Sequence, residues 1–176
     1  MITYRTLTEV EVGKLKQIDR SEHIDLIYEM SNGNLTEVST DHDCPNWNQE
    51  MLKEIQERYL FELRNGGMAV GAFDGKTLIG FGVLAHKFRG IQQDRLQVDL
   101  MYVSRNYRRR GIGTRILNEL ADEARRRGAK YLYISSTETR SAVSFYESNG
   151  SQLTKEVDEE LFNKEPRDIH MIMELI

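Results

Sequence analysis

The sequence predicts a mixed α/β domain, and three features predict it. Apolar and polar residues alternate in several short segments bounded by turn residues, which is the pattern of half-buried strands. Between them lie stretches with apolar residues at helical spacing, clearest at Ile112, Ile116, Leu117, Leu120, Ala121 and Ala124, with charged residues on the other face. The chain has 176 residues, 39% of them hydrophobic and 30% charged, which suits one soluble domain with a sizeable core, so residues 1–176 are read as a single unit.

The elements follow in order. Ile2 to Leu7 reads as a strand, and Thr8 with Glu11 forms a capping box that opens a helix through Val12, Leu15 and Ile18. Ile24, Leu26, Tyr28 and Met30 alternate up to Asn32-Gly33, and Leu35 to Thr40 returns, which predicts a hairpin within residues 23–40. Asp41-His42-Asp43-Cys44 has the residue types of a metal site, but neighbours in an extended segment point apart, so it reads as a polar loop. Asn46 with Gln49 caps the next helix, whose stripe is Met51, Leu52, Ile55, Tyr59, Leu60 and Leu63 and whose end is Asn65-Gly66-Gly67. Two readings stand for Trp47 at its start: lining an acceptor pocket, or anchoring the core with a large indole.

Met68 to Phe73 and Thr77 to about Phe88 are strands joined at Asp74-Gly75. Gly80 and Gly82 share one face of the second strand, leaving room either for a helix or for substrate. His86 to Asp94 reads as a polar connection. In the strand Leu96 to Val103, alternation places Leu96, Val98, Leu100 and Tyr102 on one face and Gln97, Asp99, Met101 and Val103 on the other. Beyond Gly150, Ser151 to Val157 and Asp168 to Leu175 read as strands joined by an acidic loop, with His170 on the more polar face of the last.

The stretch from Leu96 to Gly128 organises the rest. A strand runs into a turn rich in arginine and glycine that opens onto the amphipathic helix, and Gly128 sits where a C-terminal cap belongs. The first amides of such a helix lack partners and carry the positive end of its dipole, so an anion is favoured there. Gly111 and Gly113 let a phosphate approach the backbone, and Arg105, Arg108, Arg109 and Arg110 add charge, which points to a diphosphate. Neither a P-loop nor a GxGxxG dinucleotide fingerprint is present.

Arg108-x-x-Gly111-x-Gly113 resembles the [QR]-x-x-G-x-[GA] turn of the GNAT superfamily of acyl-CoA-dependent N-acyltransferases. Two further segments match in order: the strand KYLYISS from Lys130 to Ser136, and Ala142-x-x-Phe145-Tyr146-Glu147-x-x-Gly150, similar to the family's A-x-x-[FL]-Y-E-x-x-G helix. The resemblance is specific over residues 96 to 150. It implies a central mixed, mostly antiparallel sheet with helices on both faces, splayed between the family's fourth and fifth strands, with acetyl-CoA or another acyl-CoA as cosubstrate and no metal. It places the cofactor's pyrophosphate at Arg108, Arg109, Arg110, Gly111, Ile112, Gly113 and Thr114, and its pantetheine arm along Met101 and Val103. The hairpin stands where the family usually has helix.

The same resemblance assigns Tyr146 as the general acid that protonates the leaving thiolate. An amine attacks the thioester only when deprotonated, and an alkyl ammonium of pKa about 10.4 needs a base or a water held by one. The family often has Glu where this chain has Gln97, so Asp99, two residues nearer the turn, becomes the candidate base or ammonium anchor; the alternative is a structural carboxylate. His170 is a further candidate. The family's asparagine that contacts the cofactor arm is Thr139 here, which offers fewer hydrogen-bonding groups.

Charge fits two oppositely charged substrates. Between Arg105 and Lys130 nine basic residues face three acidic ones, a net of +6, while the whole chain carries −4 and the remainder therefore −10. That suits an anionic cosubstrate and a cationic, amine-bearing acceptor, either a small molecule or a protein. The basic run lacks interleaved aromatics, which argues against nucleic acid. The single Cys44 excludes an internal disulfide. No apolar run approaches a membrane span, and the first residues lack the pattern of a signal peptide, so a cytoplasmic enzyme is expected, as a monomer or, as is common in the family, a homodimer. Two functions follow: an N-acetyltransferase working by direct attack in a ternary complex, or a noncatalytic acyl-CoA sensor on the same fold.

Overall fold

The computed structural model describes the whole chain, Met1–Ile176. Seven strands form one sheet: β1 (Ile2–Leu7), β4 (Met68–Asp74), β5 (Thr77–Arg89), β6 (Arg95–Val103), β7 (Tyr131–Ser136), β9 (Ile169–Glu174) and β8 (Ser151–Leu153), in that spatial order. Every pairing is antiparallel except β6 with β7. The sheet is therefore the mixed, mostly antiparallel one expected. A separate hairpin, β2 (Glu22–Ser31) and β3 (Asn34–Cys44), stands between the first helical segment and α1 (Gln49–Arg64).

Helices cover both faces. On one, α1 and a 3-10 helix (Glu9–Gln17) enclose Leu7, Leu15, Ile55, Tyr59, Phe73, Phe81, Val83 and Leu100. On the other, α2 (Ile112–Arg126) and α3 (Arg140–Ser148) bury Ile112, Ile116, Leu117, Leu120, Val143 and Tyr146 against β4 to β7 and β9. Each of these large apolar side chains adds roughly 1.5–3 kcal/mol by leaving water, so the α2 stripe alone commits that helix to the sheet. Gly80 and Gly82 make this possible: a Cβ on Gly82 would lie 2.8 Å from Ile116 Cγ2 and 3.0 Å from Leu120 Cδ1, so the glycines serve helix packing.

Several sequence expectations shift. The capping box at Thr8 forms, with Glu11 accepting the Thr8 amide at 3.0 Å, but it opens a 3-10 helix and not an α-helix. The hairpin spans Glu22–Cys44, so Asp41-His42-Asp43-Cys44 is strand and not loop. His23 meets Asp43 at 2.6 Å and Asp41 at 3.1 Å across the pair, which uses these carboxylates on one imidazole. Asn48, not Asn46, caps α1 by accepting from Met51 N at 2.8 Å, while Asn46 holds Arg20 N and Trp47 N. Trp47 packs edge-on to Tyr102 at 4.9 Å between ring centres. The β4–β5 turn is Gly75-Lys76, one residue later than expected, and His86 to Arg89 belongs to β5. Beyond Gly150 the strand stops at Leu153, and the acidic loop contains a short helix α4 (Glu159–Lys164) capped by Asp158. No helix is long and apolar enough to cross a membrane.

The consequential correction concerns β6. Val83 pairs with Leu100 and Leu84 with Val98, leaving Asp99 as an extra, bulged residue. A bulge resets alternation, so Leu96 and Val98 join the α2 core while Leu100 and Tyr102 turn to the α1 side, with Met101 and Val103 taking over toward α2. Pairing of β6 with β7 ends at the same place, at Val98 with Ile134.

Candidate active site

The gap that opens past Val98 and Ile134 lies in a cleft of about 2060 Å³, larger than a typical single-ligand pocket of about 300–1,000 Å³. Its walls come from both sides of the sheet, so two substrates have room to meet. At one end, the turn before α2 presents its backbone. Arg109 (φ 63°) and Gly111 (φ 80°) adopt left-handed conformations on either side of Arg110, and from Arg109 to Thr114 no backbone amide donates to another protein atom. The first helical bond is Arg115 N to Gly111 O at 3.1 Å. A run of free donors at a helix N-terminus is an anion cradle by construction.

The two glycines act differently. A Cβ on Gly111 would meet nothing within 4 Å, so that residue supplies a backbone conformation and an open approach. At Gly113 a Cβ would lie 2.9 Å from the Phe145 ring, so that glycine brings α2 and α3 together. Arginines divide likewise. Those in the second half of α2 pair with Asp122 and Glu123, and Arg115 pairs with Glu119, whereas Arg109 and Arg110 have no carboxylate partner. The guanidinium of Arg110 lies 5.2 Å from the Tyr107 ring centre. Arg108 turns inward: it donates to Val103 O (2.9 Å), Ser21 O (2.9 Å) and Asp19 O (3.2 Å), and burial lowers its pKa.

Across the gap, β6 contributes Met101 and Val103 to the cleft wall, on a strand edge that has no partner strand beyond Val98. Tyr146 enters from α3; it is buried, its hydroxyl has no hydrogen-bond partner in the chain, and burial pushes the phenol's pKa well up. Thr139 caps α3, accepting from Ala142 N at 3.3 Å. That hydroxyl is therefore already engaged by the chain.

The hairpin closes the wide end of the gap. Ile27 bridges Thr139, and Tyr28 N donates to Glu138 O at 2.8 Å. Arg140 Nη2 reaches both oxygens of Asp25 (3.0 and 2.9 Å), and Ser141 bonds Glu22. With Arg108, which joins Val103 O to Ser21 O and Asp19 O, these contacts tie the end of β6 to the start of α3.

The remaining wall is acidic, and its carboxylates differ in engagement. Asp99 meets Arg58 Nη2 at 3.0 Å, and the same nitrogen donates to Asp99 O at 2.9 Å. Glu62 is taken up by His86 at 2.7 Å and Glu160 by Arg89 at 2.8 Å. Asp168, just before β9, has no ion pair; it accepts only the Ser135 hydroxyl at 2.8 Å, and burial raises its pKa to about 7. Sequence reasoning passed over it as the first residue of a strand. The one available signal was its place opposite the polar exit of β7, which requires knowing that β7 and β9 pair. His170, by contrast, does not line the cleft: it is buried, its Nδ1 lies 2.7 Å from the Tyr133 hydroxyl, and burial lowers its pKa. Gln97 lines the cleft and is buried. No three His, Cys, Asp or Glu residues converge as metal ligands.

A run of free amides beside a splayed strand pair, with an unpartnered tyrosine at the gap, is an arrangement suited to an anionic ligand. Residues 27–150 match the acetyltransferase (GNAT) family, and the chain belongs to it. Solved structures agree in fold. Nourseothricin acetyltransferase is 21% identical over 99% of each chain with a TM-score of 0.75. A Bacillus anthracis protein described as a candidate streptothricin acetyltransferase, in complex with acetyl coenzyme A, is 16% identical over 100% of this chain and 99% of that one, also at 0.75. PaiA N-acetyltransferase from Thermoplasma acidophilum, in complex with coenzyme A, is 18% identical over 99% of each chain at 0.64. At these identities the likeness is one of fold alone. A search of proteins with curated functions finds no match.

Proposed function

We propose that this protein is an N-acetyltransferase that transfers the acetyl group of acetyl-CoA to a primary amine by direct attack in a ternary complex. The observation that carries the reading is the run of unpartnered amides from Arg109 to Thr114, set beside the point where β6 and β7 part. The amides of Arg109, Arg110, Gly111, Ile112, Gly113 and Thr114 hold the pyrophosphate, and the side chains of Arg109 and Arg110 add charge from its rim. Arg108 acts from beneath, fixing the turn through the main chain. The pantetheine arm follows Met101 and Val103, whose strand edge beyond Val98 has no partner strand, and passes Thr139 at the head of α3.

The amine attacks the thioester carbonyl carbon, and the C–S bond breaks from the tetrahedral intermediate. Tyr146 supports this step as general acid. Its raised pKa keeps the phenol protonated until a thiolate forms beside it; the proton then goes to sulfur as the phenolate takes one from the new amide nitrogen. Asp99 is assigned as the ammonium anchor, its carboxylate held on the acceptor side of the gap by Arg58 Nη2 at 3.0 Å. Together with Glu165 and Asp168 it gives the acceptor side of the cleft a negative wall, which selects a cationic amine.

The test is thiol release from acetyl-CoA against a panel of primary amines: polyamines, amino-acid derivatives, lysine peptides, nourseothricin and streptothricin, the last two because two structural neighbours are named for acetylating them. Turnover with any of them establishes the reaction and ranks acceptors. Acetyl-CoA binding by calorimetry with no thiol release across the panel would instead favour a noncatalytic acyl-CoA sensor, and no binding would sink both.

A further inference from the structure

We propose that Asp168 is the general base of this site, taking the proton from the acceptor's ammonium group before attack on the thioester. The inference rests on the N-acetyltransferase reading and goes beyond it by naming a residue that the family motifs do not touch.

The argument is geometric. Asp168 immediately precedes β9, and its carboxylate is held by Ser135, the first residue of β7 beyond the last β6–β7 pair. Ser135 and Asp168 therefore sit where the sheet opens, in the same cleft as Tyr146, Asp99, Met101 and the anion cradle. Of the acids around the gap, Asp99 is held by Arg58 and Glu62 by His86, while the half-buried Asp168 carries no ion pair and has only the Ser135 hydroxyl as donor. One oxygen of the carboxylate accepts that hydroxyl, which leaves the other for substrate.

The surroundings tune it. Arg58 on α1 pulls its pKa down, Glu165 on the adjoining loop and Glu138 after β7 push it up, Tyr102 and Tyr146 face the same space, and burial dominates. The result, about 7, is the poise a base needs at neutral pH: ionised often enough to accept, yet basic enough to drive transfer. The proton balance closes. R–NH3+ gives a proton to Asp168, the neutral amine forms the C–N bond, the thiolate takes a proton through Tyr146, and Asp168 returns its proton to solvent. The net products are the amide, CoA thiol and one proton.

The experiment compares the pH profile of kcat/KM for the wild type and for Asp168→Asn, Asp99→Asn and Ser135→Ala, using the best amine of the panel, alongside calorimetric acetyl-CoA affinity. For the wild type, activity should rise through a limb near pH 7. Asp168→Asn should lower kcat by about 10²–10⁴-fold, remove that limb and leave acetyl-CoA affinity unchanged. Asp168→Glu should restore part of the rate. Ser135→Ala, which deletes a hydrogen bond favouring the ionised form, should move the limb to higher pH. A carboxyl 13C titration of the unliganded protein, with the resonance assigned by its loss in Asp168→Asn, should show the same midpoint. The proposal is overturned if Asp168→Asn keeps the limb and a kcat within about threefold of wild type, or if the limb vanishes in Asp99→Asn instead. A wild type that binds acetyl-CoA and acetylates nothing while its carboxyl titrates as expected would overturn the transferase reading itself.

Discussion

Arg108 tests what the basic turn is for. Replacing it by alanine removes three hydrogen bonds from a guanidinium to the carbonyls of Val103, Ser21 and Asp19. A hydrogen bond with one charged partner contributes about 1.5–3 kcal/mol net when buried. Because the side chain is only half-buried, solvent will take over part of each, and a total near 2–4 kcal/mol is the reasonable expectation. For a chain of this size each kcal/mol moves the melting temperature by about 2–4 °C, so Arg108→Ala should melt roughly 5–15 °C lower. Arg108→Lys should recover little of it, since one ammonium cannot span carbonyls from two segments as the planar fork does. Thermal denaturation with and without saturating acetyl-CoA reads the loss, and calorimetry at a temperature where both proteins are folded reads affinity. A variant that melts within about 2 °C of the wild type yet loses acetyl-CoA affinity about a hundredfold would refute the reasoning, because it would mean that the guanidinium serves phosphate and not the chain.

Other outcomes follow from the same geometry. Gly82→Ala drives a methyl to 2.8 Å from Ile116 Cγ2, a branched core atom with little room to move; the overpacking should cost about 1–3 kcal/mol and appear as a lower melting temperature with acetyl-CoA affinity retained, and a higher melting temperature would contradict it. Tyr146→Phe should reduce kcat about a hundredfold or more while leaving acetyl-CoA binding intact, and full turnover would remove the tyrosine from the mechanism. Asp168 also predicts a pH effect on stability. With a folded pKa of about 7 against an ordinary 3.8, the folded protein binds more protons than the unfolded chain between those values, so this group makes stability fall as pH rises from about 4 to 7. Asp168→Asn should then melt higher than wild type at pH 8 and show a smaller difference at pH 4; equal shifts at both would show that ionisation is not the cause.

The elements nearest the arginine–glycine turn were legible because local signals there agree with the final fold. Helix α2 is amphipathic, its first turn is glycine-rich, Gly128 (φ 91°) closes it, and no distant contact has to be known to place them. The hairpin was legible from Asn32-Gly33, which adopts the two positive φ values that such a turn requires. Its length was not, because Asp41 to Cys44 looks polar in sequence and becomes strand only through pairing with Glu22–Ile24. The bulge at Asp99 was hidden for a related reason: Leu100 and Tyr102 continue the same two-residue alternation as Leu96 and Val98, so the reversal of faces leaves no trace in hydrophobicity. Asp168 was missed because, Glu165 apart, its environment is made by long-range contacts with Ser135, Arg58 and Glu138. A carboxylate's pKa is a property of what folds around it.

The bulge joins these observations. Without it, simple alternation would turn Met101 and Val103 toward α1 and Leu100 and Tyr102 toward α2. Inserting Asp99 reverses the faces at the residue where pairing ends, so both cores remain filled while the backbone of β6 comes free of β7. The opening then separates two electrostatic environments. On one side stand free amides and the unpaired Arg109 and Arg110; on the other stand Asp99, Glu165 and Asp168. At the two lips of the gap, Arg108 is held by the segment Asp19–Ser21 that leads into the hairpin, and Arg140 by Asp25 within it.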